Sequence, residues 1–173
     1  MANAALVFQS SATEVVGSQN VTISLVSSTA MIQGIAIDAI RDVKSTGGPA
    51  GGTASNQAYN SAFEVTGATL NSDGMLVEYM GTNDTNPIPA PGTNGVLYSF
   101  TYHVPTGLTA STYITIGTYA DQDNWLDPQY TVAMGGGTFT GVQYFTPVVL
   151  HIIPEPMTMG LLGLGGLFLR RRK

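Results

Sequence analysis

The sequence predicts an all-β protein, a single antiparallel β-sandwich, on three observations. Hydrophobic residues make up 43% of the 173 residues, whereas charged residues make up only 10%, against about 25% in soluble proteins on average. Short runs alternate apolar and polar residues with a period of two, which is typical of half-buried strands. Clusters of Gly, Pro, Asn and Asp separate these runs. Too few Lys, Glu and Arg remain to cover a helical bundle or a coiled coil, so both are excluded.

Nine candidate strands follow from this pattern, and the alternation is clearest over residues 21–25, 96–102 and 113–116. The nine runs are residues 5–9, 21–27, 33–40, 62–70, 75–79, 95–104, 113–119, 137–139 and 143–152. Three segments rich in turn-forming residues interrupt them, at 45–56, 81–94 and 121–129, and we expect 45–56 to be a flexible loop or a disordered insertion. The runs recur at the spacing of a sandwich and without intervening helices. We therefore expect one sandwich domain of about nine strands over residues 1–153.

Residues 154–173 differ from this body. The triplet Pro154, Glu155 and Pro156 precedes an uncharged apolar stretch at 157–169, and a basic cluster follows it: Arg170, Arg171, Arg172 and Lys173. Proline disfavours helix in the triplet, whereas the apolar stretch predicts a short C-terminal hydrophobic helix. Such a helix is about 20 Å long, shorter than the roughly 30 Å hydrocarbon core of a bilayer. The basic cluster holds its end of a span in the cytoplasm, so we expect the segment to stop export and leave the body outside.

These three features, in this order, resemble the PEP-CTERM sorting signal of Gram-negative and related bacteria, in the shorter form found in planctomycetes. The resemblance implies an exported bacterial protein held transiently in the inner membrane. It further implies that an exosortase-type membrane protease processes the chain near the triplet and releases it to the cell surface or extracellular matrix. An ordinary tail anchor or a buried C-terminal helix is the alternative, although four terminal cations fit a buried helix poorly.

Export also requires a leader, and residues 1–17 lack both its basic region and its apolar region. Ala2-Asn3-Ala4 has the small-x-small pattern that precedes signal cleavage. We therefore expect the leader to lie upstream of this sequence.

The order of strands in the body resembles the cohesin-like sandwich, a fold shared with several carbohydrate-binding modules. A Val-x-Ile-x-Leu strand at 21–25 precedes a Gly-led strand ending in an acid at 34–38, and a second Gly-led strand at 95–100 leads to 113–116. The resemblance implies this fold first, and dockerin or sugar binding only secondarily. We expect the released domain to act by display or adhesion within the extracellular polymer. The alternative is a carbohydrate- or protein-binding module with a specific ligand, because fold alone does not fix function.

Charge and cysteine content exclude further classes. Residues 1–153 contain Arg41 and Lys44 against ten acidic residues, so this surface repels nucleic acid, which is bound through clustered cations. The chain contains no cysteine, which excludes disulfides, thiolate nucleophiles and cysteine-ligated zinc.

The acidic loop at 121–128 is the one candidate cation site. Its oxygen donors, Asp121, Asp123, Asn124 and Asp127, are of the kind that Ca²⁺ prefers. The Gly and bidentate Glu of an EF-hand loop are absent, and an acidic loop that caps its own backbone is the alternative. We expect no other cofactor.

Aromatic residues flank the same loop. Trp125, Tyr119 and Tyr130 could stack on the sugar rings of an extracellular polysaccharide. Alternatively, Trp125 folds back and covers the end of the sandwich, burying a large apolar area.

Catalysis finds little support in the sequence. His103 and His151 are the only histidines, and neither lies in a nucleophile-elbow or zinc-protease motif. Asp38/Asp42 and Asp121/Asp123 are close pairs of acids, but glycosidases place such pairs across a deep cleft. The sequence therefore predicts a non-enzymatic protein.

Overall fold

The computed structural model describes residues 6–17, 19–27, 32–61, 65–71, 74–88, 95–106, 108, 110–119, 130–134, 138–140 and 145–154. Every regular element in this part of the chain is a strand. The strands are β1 (Leu6–Ser10), β2 (Glu14–Val16), β3 (Asn20–Ser27), β4 (Ile32–Lys44), β5 (Thr53–Tyr59), β6 (Val65–Leu70), β7 (Val77–Ile88), β8 (Val96–His103), β9 (Thr112–Tyr119), β10 (Tyr130–Met134), β11 (Thr138–Thr140) and β12 (Val148–Ile153).

Two sheets form the sandwich. The smaller sheet has the order β1-β3-β8-β5, and all its pairs are antiparallel. The larger sheet runs β11-β10-β4-β9-β12-β2, with β7 also paired to β4 and β6 to β7. The 13-residue strand β4 is its centre: β7 occupies one edge, while β10 and β9 share the other. The all-β prediction is therefore confirmed.

The core lies between the sheets because alternate residues of the strands that line it point inward. In β12, for example, Val148, Leu150 and Ile152 are buried, whereas Val149 is exposed. The largest fully buried side chains include Tyr98, Phe100 and Tyr102 from β8, Ile23 and Leu25 from β3, and Ile37 and Ile40 from β4. The smaller sheet thus contributes the aromatic half of the core and the larger sheet mainly aliphatic residues.

The sandwich departs from the prediction in strand number and direction. Twelve strands are described rather than about nine, and β12 pairs with β2 in parallel, so the fold is not purely antiparallel. β2 is only three residues long, and β10 was missed as well. β7 continues through Gly81 to Ile88, a segment predicted to be a breaker; its pairing with both β4 and β6 outweighs the weak strand propensity of Gly and Pro.

Segment 45–56 was wrongly predicted to be a flexible loop. It contains an ordered turn, in which the Gly47 amide donates to the Lys44 carbonyl at 2.8 Å and the Lys44 amide donates to Gly48 at 3.1 Å. Gly47 and Gly48 have φ of 92° and 73°, a region that favours glycine. Strand β5 begins at Thr53 and pairs with β8. The sequence analysis missed β5 because its residues are mostly polar. An edge strand needs few β-branched residues once a neighbouring strand pairs with it.

Candidate functional site

One outer face of the larger sheet collects the exposed aromatic and aliphatic side chains of β9, β12 and β2. Register places His151 of β12 directly opposite Tyr113 of β9 on one side and Glu14 of β2 on the other. Because side chains alternate along each strand, neighbours two positions away share this face. We call it the Tyr113 face; it comprises Tyr113, Thr115, Val149, His151, Ile153, Glu14 and Val16.

The Tyr113 face exposes more apolar surface than its surroundings. Among the described residues, four large hydrophobic side chains are exposed: Tyr113 at 51%, Val149 at 47%, Val16 at 42% and Val96 at 42%. The first three belong to the Tyr113 face, whereas Val96 lies in β8 of the other sheet. Clustered apolar exposure of this kind marks interaction surfaces, whereas single exposed residues are ordinary.

His151 is held in place at the centre of this face. Its Nε2 lies 2.6 Å from Oγ of Ser111, in hydrogen-bond contact, and its ring stacks on Tyr113 with centroids 4.6 Å apart and planes 15° from parallel. Its Nδ1 lies 3.8 Å from Oε1 of Glu14, which forms an ion pair when the imidazole is protonated. The two rings therefore present a fixed surface, which reduces the side-chain entropy lost when a partner binds.

The order Ser111, His151, Glu14 resembles that of a catalytic triad, but its geometry does not support one. The 3.8 Å between His151 Nδ1 and Glu14 exceeds hydrogen-bond distance, and the Glu14 side chain is 73% exposed. Nucleophilic catalysis needs an oriented base and a site that excludes water. These three residues lie on an open sheet face instead. They offer a partner polar groups beside the aromatic surface of Tyr113 and His151.

The second histidine lies on the outer face of the smaller sheet. His103 Nδ1 is 2.8 Å from Oδ1 of Asn20, and its Nε2 is 2.6 Å from Oγ of Ser55. With the Asn20 oxygen as acceptor, Nδ1 carries the proton and Nε2 accepts from the Ser55 hydroxyl. Both ring nitrogens are thus satisfied within the sheet, so His103 ties β8 to β3 and β5.

The Asp42 carboxylate is buried between the sheets. Asp42 of β4 is 2% exposed; its Oδ2 accepts a hydrogen bond from the Tyr102 hydroxyl at 2.8 Å and one from the Gly52 amide at 2.7 Å. Burial raises the pKa of Tyr102 far above its usual value, and the Asp42 carboxylate raises it further. These contacts are internal to the sandwich, so Asp42 joins the two sheets and the turn before β5.

The residues predicted to bind calcium or sugar lie mostly outside the described part. Tyr119 ends β9 opposite Ala39, and Tyr130 begins β10 opposite Ile37. The loop between them, with Asp121, Asp123, Asn124, Trp125 and Asp127, is not among the described residues, and its calcium and stacking roles remain predictions. Within the described ranges no group of three or more His, Asp or Glu side chains is placed to hold a metal ion.

The predicted sorting signal begins where the described chain ends. Pro154 directly follows β12 and is half-buried. Glu155, Pro156, the apolar stretch 157–169 and the basic cluster Arg170, Arg171, Arg172 and Lys173 lie outside the described residues. In the part that is described, there is no helix with the length and hydropathy of a membrane span.

The Tyr113 face was missed at the level of sequence, although part of its signal was present. The runs 113–116 and 148–152 place Tyr113 and His151 on the side opposite the core-facing Ile and Leu residues. An aromatic residue on the solvent side of a strand is a signal of contact. Alternation does not predict the strand register that places Tyr113, His151 and Glu14 in one row. That register depends on the parallel pairing of β2 with β12.

Comparison with known proteins supports the fold. No protein-family model matches the chain, and no curated protein matches its sequence. Solved cohesin structures do match in shape. A non-cellulosomal cohesin of the archaeon Archaeoglobus fulgidus has a TM-score of 0.58 at 12% identity, covering 88% of this chain and 92% of its own.

Two bacterial cohesins are similar to the same extent. The sixth cohesin of scaffoldin B from Acetivibrio cellulolyticus, solved with the Cel5 dockerin, has a TM-score of 0.59 at 11% identity, covering 88% of this chain and all of its own. The OlpC cohesin of Clostridium thermocellum, solved with a dockerin, has a TM-score of 0.57 at 11% identity, covering 89% and 97%. At such identities the likeness concerns architecture alone: this chain has a cohesin-like β-sandwich fold.

Proposed function

We propose that this chain is an exported, non-enzymatic protein-binding module that contacts its partner through the Tyr113 face. The observation that carries the proposal is the fixed Tyr113–His151 ring pair, surrounded by exposed Val149 and Val16. Aromatic side chains at the centre of an apolar patch are the usual anchors of protein interfaces. The cohesin-like architecture supports this proposal, since the Acetivibrio and Clostridium cohesins compared above were solved as complexes with dockerins.

Site-specific crosslinking tests this interface. A photoreactive phenylalanine analogue replaces Tyr113 in one variant and Val96 in a control variant; both side chains are exposed, at 51% and 42%, but they lie on different sheets. The chain is expressed in its native host and irradiated in whole cells. We expect a discrete adduct from position 113 only, and its yield should fall when Val149→Asp is added. Equal adducts from both positions, or none from either, would contradict the proposal.

A carbohydrate-binding module is the second candidate function. The exposed Tyr113 ring beside the Ser111 hydroxyl and the Glu14 carboxylate combines an aromatic surface with hydrogen-bonding groups, which sugars require. The predicted Trp125 loop is the other location for such a site. Titration of soluble extracellular polysaccharide distinguishes the two candidates: saturable binding that is lost on Tyr113→Ala or Trp125→Ala favours the sugar, and absence of binding favours the protein partner.

We propose further that residues 154–173 act as a PEP-CTERM signal. The apolar stretch 157–169 stalls export, the basic cluster 170–173 remains cytoplasmic, and the Pro154–Glu155–Pro156 triplet offers an extended segment to an exosortase-type membrane protease. The module would then be released to the cell surface or the extracellular matrix. The sequence pattern supports this proposal, and so does Pro154 directly after the last strand of the sandwich.

A further inference from the structure

The Tyr113 face and the apolar tail are connected by very little chain. β12 contributes Val149, His151 and Ile153 to the face and ends at Ile153. Only residues 154–156 separate that strand from the apolar stretch 157–169. Three extended residues reach about 10 Å at most, and two of these three are prolines, which restrict the backbone further.

We infer that the Tyr113 face lies against the lipid bilayer while the tail is embedded in it, and becomes free only when the tail is removed. This inference rests on the proposed sorting function. A tether of about 10 Å gives the attached surface a very high effective concentration at the membrane, so a weak preference for the interface is sufficient.

The composition of the face provides that preference. Tyrosine favours the boundary between headgroups and hydrocarbon, where its ring is apolar and its hydroxyl hydrated. The exposed valines, Val149 and Val16, add apolar area on the same side. The one acidic side chain, Glu14, sits at the edge strand β2, where it can remain in water. Of the two basic residues of the body, Lys44 is paired opposite the buried Ile114, whereas Arg41 is paired opposite Gly117 and lies on the same side of the larger sheet as Thr115. Arg41 is only 3% exposed, so the attraction of the exposed face to lipid is apolar rather than electrostatic.

The opposite side of the molecule provides the contrast. Val96 of β8 is exposed to a similar degree, 42% against 47% for Val149, but lies in the smaller sheet. A bilayer that covers the Tyr113 face leaves Val96 in water. If the tail acted only as a loose tether, the side chains of Val149 and Val96 would both remain in water.

Single-cysteine labelling of the full chain tests the inference, because the sequence contains no native cysteine. Val149→Cys, Val96→Cys and Leu164→Cys are each labelled with an environment-sensitive nitrobenzoxadiazole dye. The labelled chains are reconstituted into phosphatidylethanolamine–phosphatidylglycerol nanodiscs containing lipids spin-labelled near the headgroup. Both valines are exposed, so neither substitution disturbs the core. Circular dichroism confirms that the variants fold.

We expect strong quenching at 164, and quenching at 149 that is several-fold greater than at 96. Quenching at 164 with equal values at 149 and 96 would overturn the inference and leave the membrane-embedded tail intact. The absence of quenching at 164 would overturn the membrane role of the tail, and this inference with it. A quenched position 149 should also become unquenched when the chain is cut after residue 156 with an engineered protease site.

Discussion

Substituting Gly52 by Ala should destabilise the sandwich, because Gly52 leaves room for a buried tyrosine. A Cβ built on Gly52 would overlap Cε2 of Tyr102 and lie 2.5 Å from its Cζ. Tyr102 is fully buried and its hydroxyl donates to Asp42 at 2.8 Å, so the ring cannot move without losing that bond. Overpacking costs roughly 1–3 kcal/mol, and the loss of a hydrogen bond to a carboxylate about 1.5–3 kcal/mol. We expect the free energy of unfolding to fall by about 3–4 kcal/mol.

Urea denaturation followed by circular dichroism measures this change. Gly67→Ala is the matched control, since a Cβ at Gly67 meets no atom within 4 Å, and alanine suits a strand better than glycine by roughly 0.5–1 kcal/mol. A double variant with Tyr102→Leu separates the clash from a backbone effect: if the ring is the obstacle, the two substitutions should cost less together than the sum of their single costs. Equal stability of Gly52→Ala and Gly67→Ala would contradict a clash between the added Cβ and the Tyr102 ring.

Two further predictions concern the sheet edge and alkaline pH. The Asn71 side chain accepts from the Ala54 amide at 2.6 Å and donates to the Ala54 carbonyl at 2.8 Å, covering the outer edge of β5 as a neighbouring strand would. Asn71→Ala should therefore cost about 1–3 kcal/mol and increase self-association measured by sedimentation velocity; unchanged stability and mass would contradict this role. Burial raises the pKa of Tyr98 and Tyr102 above the usual value of about 10, so their stabilising effect is complete below pH 10. Above that pH the free energy of unfolding should fall by about 1.4 kcal/mol per pH unit for each tyrosine, and Tyr98→Phe should reduce this slope; a slope unchanged by that substitution would contradict the assignment.

The sandwich could be predicted because its core strands alternate clearly. In these strands every second residue is apolar, which indicates a buried face. Examples are Ile114 and Ile116 of β9, and Val21 and Ile23 of β3. β5 and β2 could not be predicted in the same way. β5 owes its stability to β8 and to the Asn71 side chain, and β2 to parallel pairing with β12. Both are contacts between residues distant in sequence.

The candidate site shows the same division. That Tyr113 and His151 face away from the core follows from alternation, since their neighbours Ile114 and Leu150 are buried. The stacking of Tyr113 on His151, with Glu14 next to them, depends on the register of β12 with β9 and β2, which alternation does not give. Likewise, the sequence shows Asp42 only as one of a close pair of acids with Asp38, and the facing sheet supplies the Tyr102 hydroxyl that donates a hydrogen bond to its carboxylate.

Export and processing of the chain are tested by its intact mass and location in the native host. The measurement is made with Arg170, Arg171 and Arg172 either intact or all replaced by Ala. We expect the unaltered chain to be recovered outside the cell as a product ending near residue 156, and the alanine variant not to be processed in this way. A full-length product retained in the membrane would reduce the tail to a plain anchor. A full-length product in the cytoplasm would contradict export itself.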